Sequence, residues 1–166
     1  RELAQQIGKD LHKLDPHAKQ VIVYGGVGMQ PQVDKLNRWA NVVIGTPGRI
    51  LDHLSRGTMN LSKTKYAVLD EADRMLEMGF IEDVKEILKH TPHKKQTLLF
   101  SATVPDDIIR LAEDYMIKPE KLMLDKDEIT VSKIKQIFYG MDRSEKLDVL
   151  MKLLDKKGVE KVIIFC

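Results

Sequence analysis

Four short runs of strand-forming residues, at positions 21–24, 42–44, 66–69 and 97–100, each end in a small or polar motif, and stretches with helical spacing separate them. Strand and helix in alternation select a parallel sheet with covered faces and right-handed crossovers. Parallel strands share one direction, so all four motifs are expected along one edge of one sheet. That carboxyl edge is where open α/β sheets take their ligands. The expected fold class is therefore α/β, a parallel sheet with helices on both faces.

The helical stretches follow from spacing and caps. Leu3, Ile7, Leu11 and Leu14 recur at helical intervals and predict one apolar face, ended by Asp15-Pro16. Val33, Leu36 and Trp39 mark a second helix. Thr46 is placed to cap a third that begins at Pro47, carries Ile50, Leu51 and Leu54, and stops at Gly57. Phe80, Ile81, Val84, Ile87 and Leu88 predict another, and Pro105 opens the helix holding Ile108, Ile109 and Leu111. Residues 121–124 read as one more strand.

The most informative motif is Asp70-Glu71-Ala72-Asp73, directly after the run 66–69. A carboxylate at such a strand end can hold Mg²⁺, directly or through water, while its neighbour orients an attacking water. Nucleotide hydrolysis is the chemistry this arrangement fits. Acidic residues also favour a helix N-terminus, which accounts for one or two of the three carboxylates. Ser101-Ala102-Thr103 stands at the end of the neighbouring run, where its two hydroxyls can bond a carboxylate such as Asp73.

Gly25-Gly26 and Thr46-Pro47-Gly48-Arg49 have an ordinary explanation in turn chemistry. The same features suit a phosphate: amides at a helix start attract anions, glycine lets a backbone come close, and Arg49 adds a charge-assisted bond. Such contacts meet sugar and phosphate, and grip a strand without reading its sequence. Arg1 is a further candidate phosphate contact. Trp39 and the methionines are read as packing residues.

Composition sets the outer bounds. Of the 166 residues, 43% are hydrophobic and 31% charged, which fits ordinary globular domains. The net charge of +2 is too mild to announce a nucleic-acid binder. His12, His17, His53, His90 and His93 show no metal-ligand spacing, and the single cysteine, Cys166, forms no intrachain disulfide. No apolar run approaches bilayer length and no targeting segment is visible, so a cytoplasmic setting is expected. The polar stretch at 126–133 reads as a linker between a first domain, 1–125, and the start of a second, 134–166. In that second part, residues 134–139 and 162–165 read as strands around a helix through Leu147, Leu150, Met151 and Leu154.

Taken together, these motifs closely resemble the DEAD-box ATP-dependent RNA helicases in order and approximate spacing. Arg1-Glu2-Leu3-Ala4 looks like the end of motif Ia, Gly25-Gly26 the glycine doublet, Thr46 to Arg49 motif Ib, Asp70 to Asp73 motif II, Ser101 to Thr103 motif III, and residues 162–166 the start of motif IV. The resemblance implies two RecA-like domains, the second only begun, that close on ATP and RNA together. It implies that Asp70 coordinates Mg²⁺, that Glu71 acts on the attacking water, and that Asp73, Ser101 and Thr103 couple hydrolysis to RNA. Arg1, Gly25, Gly26, Thr46, Gly48 and Arg49 would touch the backbone of single-stranded RNA or a short duplex. A Walker A sequence does not occur among these residues, so the chain is read as a central fragment that is itself inactive. The alternatives are a non-catalytic RNA-binding or scaffolding module on the same fold and, less favoured, a DNA translocase.

Overall fold

The structure, a computed structural model, describes residues 1–38, 40–123, 135, 137–155 and 160–165. Two compact units divide it, Arg1–Glu120 and Lys121–Cys166. The first unit runs α1 (Glu2–Leu14), β1 (Gln20–Val23), α2 (Gln30–Leu36), β2 (Val42–Gly45), α3 (Pro47–Ser55), β3 (Tyr66–Leu69), α4 (Ala72–Glu77), α5 (Ile81–Lys89), β4 (Gln96–Leu99) and α6 (Asp106–Tyr115).

All four strands are parallel, but among the described residues they pair two by two rather than as one continuous sheet: β1 with β2 and β3 with β4. The single common edge expected from sequence is thus two edges. Register places Val23 opposite Gly45 in one pair and Leu69 opposite Leu99 in the other. Each pair therefore brings two motifs together at its own carboxyl end.

Helices cover both faces of the β1–β2 pair. On one face α1 comes close because Gly8 has no side chain where Ile22 sits, and the Gln20 amide donates to the Gly8 carbonyl at 2.8 Å. On the other, Val21, Val23 and Met59 form a core with Leu36, Val43, Ile50, Leu54 and Leu61. The β3–β4 pair buries one face. Ala67, Leu69 and Leu99 pack on a core of Ala72, Ile81, Val84, Leu88, Ile108 and Leu111. Its other face is open: Tyr66 is 66% and Val68 59% exposed, so β3 is half-buried and not enclosed as its apolar sequence predicts. Contact between α3 and α5 joins the two halves of the unit.

Several expectations need correction. Leu14 is exposed, because α1 buries the small residues Ala4 and Gly8 where helix meets strand. Met59 and Met75 pack as expected, whereas Met78, Met123 and Met151 are exposed. Residues 121–123 form no strand. In the second unit a 3-10 turn (Arg143–Glu145) leads into α7 (Lys146–Leu154), started by a capping box between Asp142 and Glu145. The strands expected at 134–139 and 162–165 are not formed at any described residue there; a strand exists through its ladder, and no described segment pairs with either. Trp39, Leu124, the expected linker 126–133 and Cys166 lie outside the described residues.

Candidate nucleotide and nucleic-acid site

At the end of β3 the chain turns sharply. Glu71 adopts φ 50 and ψ 50, a left-handed conformation that side chains seldom take, and becomes the N-cap residue of α4. Its amide donates to Asp70 Oδ1 at 3.0 Å. The Phe100 carbonyl accepts from the Ala72 amide at 3.1 Å, and the Phe100 amide donates to the Leu69 carbonyl at 2.8 Å, so β4 fixes both sides of the turn. Arg74, one helical turn on, pairs with the Glu71 carboxylate at 3.0 Å. Sequence reasoning did not single out Arg74, although its spacing from Glu71 is the signal that finds it.

Asp73 joins the two strand ends. Its Oδ2 accepts from the Thr103 amide at 2.8 Å and the Thr103 hydroxyl at 2.9 Å, while Oδ1 accepts from the Arg74 amide at 3.0 Å. These bonds, the Thr103 backbone first, hold the Asp73 carboxyl below the ordinary carboxylate range. Ser101 makes a further link: its hydroxyl accepts from the Asp73 amide at 3.0 Å on the first turn of α4, and its side chain is the last of the groups that lower the Asp73 carboxyl.

The β1–β2 pair carries a second cluster. The Arg1 guanidinium lies against the glycine doublet: a methyl group at Gly26 would meet it at 2.6 Å, one at Gly25 at 3.9 Å. Gly26 has φ +90, a conformation that favours glycine. Arg49 reaches back from α3, both of its terminal nitrogens donating to the Val27 carbonyl at 3.2 Å. Thr46 is the N-cap residue of α3, but its side chain makes no capping bond; Pro47 behind it already removes one of the amides that needs a cap. Gly48 is exposed on the first turn of α3, 3.7 Å from Asp83 Oδ2 by the position its Cβ would take. Arg1, Gly25, Gly26 and Arg49 are thus brought together, as are Asp70, Glu71, Asp73, Ser101 and Thr103.

Sequence reasoning missed the support beneath this second cluster. His53 is fully buried and Gln32 nearly so. Gln32 and His53 are 21 residues apart, and neither belongs to a motif, so no local signal pairs them.

Parallel strands whose tips carry an acidic turn on one pair and a glycine-arginine cluster on the other define a RecA-like α/β unit. The chain belongs to the DEAD/DEAH box helicase family, whose model matches residues 1–111. It is similar to the ATP-dependent RNA helicase CshA of Listeria monocytogenes, 47% identical over 99% of this chain and 32% of that protein. The DEAD-box ATP-dependent RNA helicase CshA of Geobacillus kaustophilus is 44% identical over 99% of this chain and 36% of its own length. A crystal structure of a DEAD box protein from Methanococcus jannaschii superposes with a TM-score of 0.72 at 42% identity, covering 95% of this chain and 42% of that one. The chain thus spans about a third of the length of the curated relatives it matches.

Proposed function

We propose that these residues are the central portion of an RNA-stimulated ATPase that separates short RNA duplexes locally. The observation that carries the reading is the bonding of Asp73 to Ser101 and Thr103, which ties the turn bearing Asp70 and Glu71 to the end of the adjacent strand. A hydrolytic group and a coupling segment held in one bonded unit move together, which a passive binding surface does not need. The names of the relatives support ATP as the nucleotide and RNA as the polymer.

Mg²⁺ fits this site only in company. Among the described residues no group of three or more His, Cys, Asp or Glu side chains could hold a metal ion. Asp70 is half-buried at a strand end, and among the described residues no donor reaches its Oδ2. One carboxylate completed by water and phosphate oxygens is the usual setting for Mg²⁺ beside a nucleotide. The ion would neutralise charge on the phosphates. In this reading Glu71 takes the proton of the attacking water and Asp73, Ser101 and Thr103 transmit the outcome. Arg1, Gly25, Gly26, Thr46, Gly48 and Arg49 form the surface for the RNA backbone, single-stranded or in a short duplex.

The domain reading belongs to the same proposal: 1–125 as a first RecA-like domain without its Walker A part, 126–133 as a linker, and 134–166 as the start of a second. A cytoplasmic setting completes it; no helix among the described residues is long and apolar enough to cross a membrane. The test is phosphate release by the complete gene product titrated with RNA and with DNA of the same sequence. RNA alone should stimulate. RNA binding without stimulated release would instead support the non-catalytic module, and equal stimulation by DNA would support a translocase.

A further inference from the structure

Residues 24–28 hold the glycine doublet, and their backbone is tied down from below. Gln32 Nε2 donates to the Tyr24 carbonyl at 3.3 Å and the Gly28 carbonyl at 3.2 Å. Both amide hydrogens are thereby used, which leaves Gln32 Oε1 as an acceptor facing His53 Nε2 at 3.4 Å. His53 must then carry its proton on Nε2. Its Nδ1 accepts from the Thr58 hydroxyl at 2.8 Å; that hydroxyl also lies 3.1 Å from the His53 carbonyl and has one proton to give. Thr58, His53 and Gln32 make a directed chain of donors that ends on two loop carbonyls.

The chain has a consequence for the outer side of the loop. A trans peptide is planar, so its C=O and N–H point in opposite directions. Holding the Tyr24 carbonyl inward turns the Gly25 amide outward. Among the described residues the amides of Gly25 and Gly26 make no hydrogen bond, and outward amides on a glycine turn make an anion-binding concavity. We propose that Gln32 and His53 are positioning residues for RNA, an internal brace that aims the Gly25 amide at a backbone phosphate. The inference rests on the function proposed above.

The experiment measures RNA-stimulated ATP hydrolysis by the complete gene product with Gln32→Met, which keeps length and removes both donors. The half-saturating RNA concentration should rise about tenfold, the scale of one good hydrogen bond, with kcat at saturating RNA retained. Thr58→Val, at the far end of the chain and half-buried, should give a smaller rise in the same direction. Leu54→Ala serves as the packing control, since Leu54 lines the same core. It should lower the melting temperature and leave half-saturation alone. Wild-type half-saturation in Gln32→Met, or an equal rise in Leu54→Ala, overturns the brace. Should Gln32→Met fail to fold, Thr58→Val decides: an unchanged value overturns the inference. A wild-type protein indifferent to RNA removes the functional reading itself, and the brace with it.

Discussion

Glu71 occupies backbone space that costs a residue with a side chain about 1–2 kcal/mol, and strain of this kind gathers at functional turns. It is held there by β4 through Phe100 and by Arg74 through an ion pair. Glu71→Gln keeps the shape and removes the basic oxygen, so RNA-stimulated turnover should fall by about a hundredfold or more while RNA binding persists. Stopped assays of release and of RNA affinity on the same preparation check both halves. Asp73 provides a prediction about protons. Its folded carboxyl titrates below its unfolded value, so its contribution is present above the ordinary carboxylate range and is lost as pH falls through the lowered folded value. Thr103→Val removes the hydroxyl bond and leaves the amide bond, so a carboxyl-carbon NMR titration should move Asp73 part of the way back up. His53 behaves likewise through burial first and the Arg49 charge next, opposed by Asp52 and reinforced by Arg56. Held below its ordinary value of 6.5, it leaves stability whole above that pH and diminishes it as the pH falls further. His53→Gln should flatten that slope in denaturant melts. At this scale Asp70, Glu71 and Asp73 are legible as a word in the sequence, whereas His53 and Gln32 are not: their meaning lies in a contact across two helices.

The elements read well from sequence where caps and periodicity agree. Pro47 opens α3 and Gly57 follows its end, Pro105 precedes α6, and β3 falls on the run 66–69. Helix α4 is not legible in the sequence, because six residues with a left-handed first cap carry little periodicity. The strands expected in the second unit show the converse, since alternation supplies a strand's face and not its neighbour. Two glycines separate local strain from site geometry. Gly26→Ala forces φ +90 on a side chain and meets Arg1, whereas Gly79→Ala meets φ +76 with nothing within 4 Å. Each should lower stability by about 1–2 kcal/mol in chemical denaturation. Only Gly26→Ala should also weaken RNA binding, and equal RNA affinity in the two variants would contradict the placement of the doublet. Leu111→Ala, at 1% exposure in the β3–β4 core, should cost about 2–5 kcal/mol by the same measurement.

For the molecule as a whole, fold class and family were legible because motif order survives any uncertainty about boundaries. Sheet continuity was not, because pairing is a long-range property: the described strands close two parallel pairs and leave Tyr66 and Val68 exposed on one face. The 166 residues contain no Walker A sequence, so the purified chain should release no phosphate from ATP with or without RNA. The most direct test of the whole account is the complete gene product assayed for phosphate release across an RNA titration, wild type beside Glu71→Gln. The account predicts a saturable RNA-dependent rise in the wild type that the variant loses. A variant that turns over ATP as fast as the wild type would contradict it.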